Sequence, residues 1–109
     1  MEEKRNYKGL LPIGSVVRID EIEQYLVISG RIVCAEGDDK IYDYVGFPYP
    51  EGMGRGDDLL FFDKEDIAQV FFIGFQDETE LIYRTQILDE LGELTVEDGE
   101  IVSAEEDEG

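Results

Sequence analysis

Apolar residues first alternate in a sustained way after Leu10-Leu11-Pro12-Ile13-Gly14. Pro12 fixes one φ and Gly14 frees another, and the β-branched run Ser15-Val16-Val17-Arg18-Ile19 follows as a strand. Asp20-Glu21-Ile22-Glu23 supplies a polar turn, and Gln24 to Ile28 forms a second strand. Gly30 interrupts it where a bulge or bend would fall, before Arg31-Ile32-Val33-Cys34-Ala35. After the turn Glu36-Gly37-Asp38-Asp39, residues Lys40 to Phe47 place Ile41, Asp43, Val45 and Phe47 on one face. Tyr42, Tyr44 and Gly46 fall on the other. Two Pro and three Gly between Pro48 and Gly56 demand a loop.

The second half changes period. Leu59 to Phe62 is a short buried strand. Asp63, with Asp66 three positions on, caps a single helical turn over Lys64 to Ala68. Gln69 to Phe75 is another strand. Asp77 then caps a helix from Glu78 to Leu91, whose acidic first turn matches the macrodipole. Leu81, Ile82, Ile87, Leu88 and Leu91 form its apolar stripe, which the commonest arrangement would lay over the sheet, and Gly92 stands as the C-cap. The order of elements predicts an α+β fold: a small antiparallel, partly curled sheet of about five strands, one short helical turn and one C-terminal amphipathic helix. Residues 1–9 are a frayed, flexible N-terminus, residues 10–92 a single domain, and residues 93–109 an acidic, solvated and disordered tail.

Composition narrows the chemistry. In 109 residues the chain has no His and one Cys, so imidazole bases, Ser-His and Cys-His nucleophile pairs, disulfides within the chain and Cys-type zinc sites are all excluded. Cys34, between Val33 and Ala35, fits a buried structural thiol, and a lone thiol suits the reducing cytosol. The acidic clusters Asp38-Asp39, Asp57-Asp58 and Asp77-Glu78-Thr79-Glu80 lack the EF-hand spacing, and the glycines at 52, 54 and 56 match no phosphate-binding loop. Neither a metal nor a cofactor is expected, and no enzyme activity.

Charge excludes two further partners. Twenty-eight acids against nine bases give −19, a surface that phosphate backbones and anionic membranes repel. Residues 65–109 hold 15 of the acids and a single base, Arg84. The start of the chain has no apolar segment of the kind that targets or spans a membrane. The expectation is a cytoplasmic protein, monomeric alone through like-charge repulsion, that binds neither nucleic acid nor membrane. Three tyrosines beside a Pro-Gly loop point instead to a protein partner, because Tyr is enriched where proteins meet. The predicted contact set is Tyr42, Tyr44, Pro48, Tyr49, Pro50, Glu51 and Gly52, with the tyrosines exposed.

One resemblance stands out. Leu10-Leu11-Pro12-Ile13-Gly14-Ser15-Val16-Val17, Ile28-Ser29-Gly30-Arg31, Tyr42-Asp43-Tyr44-Val45-Gly46-Phe47-Pro48-Tyr49-Pro50-Glu51-Gly52, Phe61 to Ile67 and Val70 to Phe75 form an ordered series. It resembles the bacterial family catalogued as domain of unknown function 4176, over about residues 10 to 80. Members of that family look like small cytosolic proteins of type VII (Esx-type) secretion loci in Gram-positive bacteria, near toxins with helical Leu-x-Gly amino-terminal domains and small WXG100-like partners. The resemblance implies an accessory factor or chaperone for such an effector, binding its helical domain or its WXG100-like targeting factors. It defines no catalytic residues. An immunity protein, whose acidic surface plugs a neighbouring toxin's basic active site, is the alternative.

Overall fold

The computed structural model describes residues 7–20, 22–35, 37, 40–54 and 59–103. The fold is mainly β, built on an open, antiparallel five-stranded sheet: β1 (Val16–Ile19), β2 (Tyr25–Cys34), β3 (Ile41–Tyr49), β4 (Leu60–Phe62) and β5 (Ile67–Phe72). Their spatial order is β4-β3-β2-β1-β5. The first three strands form a meander, and β5 returns to the free side of β1 as one edge. A 3₁₀ turn, Lys64–Asp66, links β4 to β5 across the sheet. Its start is held as the sequence predicts, with the Asp66 carboxylate accepting the Asp63 N–H at 3.0 Å. Asp77 accepts the Glu80 N–H and opens α1 (Glu78–Tyr83).

Register decides the core. Val17 lies opposite Leu26, Ile28 opposite Gly46, and Tyr44 opposite Phe62. These side chains share one face with Ile19, and Tyr7 and Leu10 complete the buried cluster. The shift expected at Gly30 is present: Ile28 pairs with Gly46 but Gly30 pairs with Val45. A Cβ on Gly30 would lie 2.9 Å from a methyl of the Val45 side chain, so a larger residue fits here only if Val45 or the local backbone shifts. Two positions on, Ile32 has a φ of 56°, a left-handed conformation that a β-branched residue adopts only when pairing on both sides imposes it.

The structure corrects the sequence pattern in several places. The frayed N-terminus does not extend to Tyr7, which is buried against the core, and residues 1–6 lie outside the described residues. In β4 only Phe62 is buried and Leu60 is exposed, because β4 is the other edge of the sheet. The predicted helix over 78–91 is an α-helix only to Tyr83 and continues as a π-helical turn, Arg84–Leu88. There the Thr85 hydroxyl donates to the Leu81 carbonyl, which competes with the regular backbone donor, and the Asp89 N–H reaches back to Arg84.

The helix also does not lie over the sheet as the stripe predicts. Leu81, Ile82 and Ile87 are exposed, and only Leu88 of that stripe is fully buried. A hairpin, β6 (Leu94–Glu97) and β7 (Glu100–Ser103), takes that place on the core, where a disordered tail is expected from 93 onward. Its turn is Asp98-Gly99, both with positive φ, the backbone of a tight two-residue hairpin. Leu91, Leu94, Val96 and Ile101 pack against the buried cluster. The charge count hid them: eight acids in residues 93–109 mask an apolar alternation that one short hairpin needs. Residues 104–109, Asp38-Asp39 and Asp57-Asp58 lie outside the described residues.

Candidate protein-interaction surface

The sheet face opposite the core carries an open row of aromatic rings. Tyr25 stands directly opposite both Arg18 on β1 and Tyr49 on β3. The Tyr25 and Tyr49 rings are stacked with centroids 6.4 Å apart. On the other side Tyr25 stacks on Phe71 of β5 at 4.2 Å. Phe71 reaches this face through an irregularity: Val16 pairs with Phe72 and Val17 with Val70, which leaves Phe71 as the extra residue of a bulge. The row Tyr49–Tyr25–Phe71 thus crosses the sheet from the 48–52 loop to the edge strand. Each ring keeps about two-fifths to one-half of its surface in solvent.

The loop at one end of the row is firmly built. The Gly52 N–H donates to the Pro48 carbonyl at 2.7 Å, and Gly52 supplies the positive φ that closes this turn. Gln24 donates from Nε2 to the Tyr49 carbonyl at 2.8 Å and to the Glu51 carboxylate at 3.0 Å, tying the loop to the start of β2. Of the predicted contact set, Tyr49, Pro50 and Glu51 are exposed here, and Pro48 and Gly52 are half-buried beside them.

Tyr44 does not belong to this surface. It is 1% exposed, packed on Phe62, with its hydroxyl accepting the Leu11 N–H at 2.9 Å. Tyr44 and Tyr49 are five residues apart on one strand, so they leave the sheet on opposite faces. Burial, the largest influence, pushes the Tyr44 hydroxyl pKa above its ordinary value, reinforced by the Asp43 carboxylate and opposed by the Leu11 hydrogen bond and Arg31. Tyr42 is half-buried, tilted against Phe61 with the Lys40 ammonium over its ring at 4.7 Å. The expectation that all three tyrosines are exposed holds for Tyr49 alone.

At the far end the apolar surface continues past the sheet. Phe72, Ile73 and Phe75 are exposed, Phe75 to 78%. Gly74 between them is buried against the 13–14 turn, its N–H donating to the buried Ser15 hydroxyl at 2.9 Å. Exposed Ile13 is thereby brought next to this stretch. The helix follows, with Leu81, Ile82, Tyr83 and Ile87 outward. It is fixed by Arg31, whose guanidinium donates through both terminal nitrogens to the Glu80 carboxylate at 2.8 and 2.9 Å. Both side chains are nearly buried, and the same guanidinium lies over the Tyr83 ring. Pattern reading missed Tyr25, Phe71, Phe72 and Phe75. The signal was present: residues 67–76 hold no charge and place aromatics at both parities, whereas a strand buried on one face alternates.

The carboxylates offer nothing comparable. Asp43 and Asp63 are buried, each accepting a backbone N–H, from Lys64 at 2.9 Å and from Asp43 at 3.0 Å respectively. They join β3 to the 3₁₀ turn. Among the described residues no group of three or more Cys, Asp or Glu is placed to hold a metal ion. No helix among them is long and apolar enough to cross a membrane.

A mainly β domain with a built aromatic face is the class these elements define. The model of the family described as domain of unknown function, DUF4176, matches residues 10–82, and the chain belongs to that family. The match takes in the sheet, the aromatic row and α1 nearly to its end, and leaves out the 94–103 hairpin. No curated protein and no solved structure matches the chain.

Proposed function

We propose that this protein is a non-enzymatic accessory factor, or chaperone, for an effector of type VII secretion, acting in the cytosol by protein–protein binding. The observation that carries the reading is the set of exposed aromatic and aliphatic side chains: the stacked row Tyr49–Tyr25–Phe71, then Phe72, Ile73 and Phe75, and Leu81, Ile82 and Ile87 on the helix. Large exposed apolar surface on a small domain is the usual mark of a partner site. The family's resemblance to proteins of secretion loci supplies the direction: the client is a helical Leu-x-Gly domain or its WXG100-like targeting factors. A charge of −19 keeps such a binder soluble beside an aggregation-prone client and discourages binding to nucleic acid.

The same charge favours a second reading, an immunity protein whose acids occupy a toxin's basic active site. Deleting the gene separates the two. Under the accessory reading, export of the neighbouring effector stops while the secretion machine's core substrate is still released. Unchanged export in cells that become toxin-sensitive would put the immunity role in its place.

A further inference from the structure

The apolar surface converges on β5, and β5 is an unguarded edge. Its inner side pairs with β1, and no strand lies along its outer side among the described residues. Sheet edges are ordinarily blunted by charges, proline, shortness or a covering element. The opposite edge obeys this rule, since β4 has three residues and runs into Asp63. β5 has six residues, no proline and no charge, and the uncharged run extends to Gln76. Val70, Phe71 and Phe72 are all exposed, so the strand is bare on both faces as well as along its edge.

Acids stand at both ends of this neutral stretch: Glu65 and Asp66 before it, Asp77 and Glu78 after it. That arrangement selects the occupant. β5 ends at Phe72, so a second copy paired antiparallel along it would set Glu65 and Asp66 of each chain against Gly74 and Ile73 of the other, with Asp77 and Glu78 a few residues beyond each end of the ladder. Parallel pairing would set each acidic pair against itself. Either way acids of both copies gather at the ends of the ladder, and the −19 of each molecule adds to the repulsion. A strand with Lys or Arg at its ends meets the opposite situation.

We infer that the outer edge of β5 receives an extended segment of another protein, apolar over about six residues and basic on both flanks, which adds to the sheet as a sixth strand. Main-chain hydrogen bonds would supply affinity and the exposed Phe71, Phe72 and Val70 the side-chain contacts. The acids at either end fix the polarity of charge that the segment must carry. The inference deepens the accessory role proposed above and rests on it, naming the edge and the chemistry of the client segment.

The test uses the full-length protein and a labelled peptide, Lys-Lys-Val-Thr-Val-Phe-Val-Thr-Lys-Lys, followed by fluorescence anisotropy at low salt. The expected result is saturable binding, weakened about tenfold or more when the lysines are replaced by glutamates. Methylating alternate backbone nitrogens, so that one edge of the peptide can no longer donate, should weaken it by a similar factor of about ten or more. Phe72→Lys should lose binding of the lysine peptide, and Gln69→Lys, a change at an exposed polar position, serves if the first variant does not fold. Absence of binding up to millimolar peptide overturns the inference. So does equal binding of the lysine and glutamate peptides, or of the methylated one. A dimer in sedimentation that Phe72→Lys dissociates would show that a second copy occupies the edge instead. Peptide failure with export still lost on gene deletion sinks the edge and spares the accessory role. Binding with export unaffected does the reverse.

Discussion

Gly74 and Ser15 show how closely single residues fix the route from β5 to α1. A Cβ built on Gly74 would collide with the Ile13 carbonyl oxygen, and backbone there cannot swing aside as a side-chain tip could. Ser15, fully buried, donates from its hydroxyl to the Pro12 carbonyl at 2.8 Å and accepts the Gly74 N–H. Gly74→Ala is therefore expected to destabilise by about 1–3 kcal/mol through overpacking. Ser15→Ala should cost about the same by leaving a buried N–H without an acceptor. Urea unfolding measures both, and an unchanged midpoint for Gly74→Ala would show that the two segments are not in contact. Tyr44 makes a pH-dependent contribution. Its folded pKa lies above the ordinary 10.0, so its stabilisation is complete below pH 10 and is lost as pH rises from there through the folded value. Tyr44→Phe should flatten the alkaline fall in stability, at the cost of the Leu11 hydrogen bond; an identical alkaline profile in the two proteins would contradict this.

At the scale of elements, α1 is held more by one ion pair than by its own stripe. The Arg31–Glu80 pair is bidentate, with side chains only 6% and 13% exposed, and it joins the helix to the bulged part of β2. Removing one partner of such a pair leaves the other charge buried, which typically costs about 3–5 kcal/mol. Arg31→Met or Glu80→Gln should approach that loss, and the double variant should recover part of it, as a double-mutant cycle in urea would register. Additive losses would mean that the pair does not act as a unit. Elements built from neighbouring residues were readable from sequence: the β1–β3 meander, the Gly30 bulge, the Asp63–Asp66 cap. Their causes lie within a few positions of the chain. What a stripe packs against is not local. Periodicity marks Leu81, Ile82 and Ile87 as one apolar side, but the 94–103 hairpin takes the core, and Arg31 positions the helix from 49 residues away. The hairpin was nonetheless marked, by Leu94 and Val96 at period two and by Asp98-Gly99, the dipeptide a two-residue turn favours. In the candidate site, Tyr49 and its loop were legible because Pro and Gly force them outward. Tyr44 differs from Tyr49 only in strand parity, and Tyr25 and Phe71 join the row only through register.

For the molecule as a whole, the hairpin sets burial against charge. Leu94, Val96 and Ile101 are partly buried against the core, and residues 93–109 bring eight acids without a base. Fully burying an aliphatic side chain contributes about 1.5–3 kcal/mol, so three half-buried ones amount to about 2–4 kcal/mol. Against that, the added charge is repelled by the 13 acids and 8 bases of residues 1–64, net −5, and by the seven acids and one base of residues 65–92, net −6. This repulsion is long-ranged only when salt is scarce, since the Debye length falls from about 30 Å at 0.01 M to about 8 Å at 0.15 M. Burial should win at physiological ionic strength. A protein ending at Gly92 is expected to lose about 2–4 kcal/mol there, because its core cluster is left partly uncovered. At 0.01 M salt the gap should narrow, as the intact chain suffers more from its own charge than the shortened one. Urea titrations of both proteins at the two salt concentrations decide the matter. Equal stability at 0.15 M would mean that the hairpin adds only charge, and a gap that widens at low salt would reverse the sign assigned to its acids.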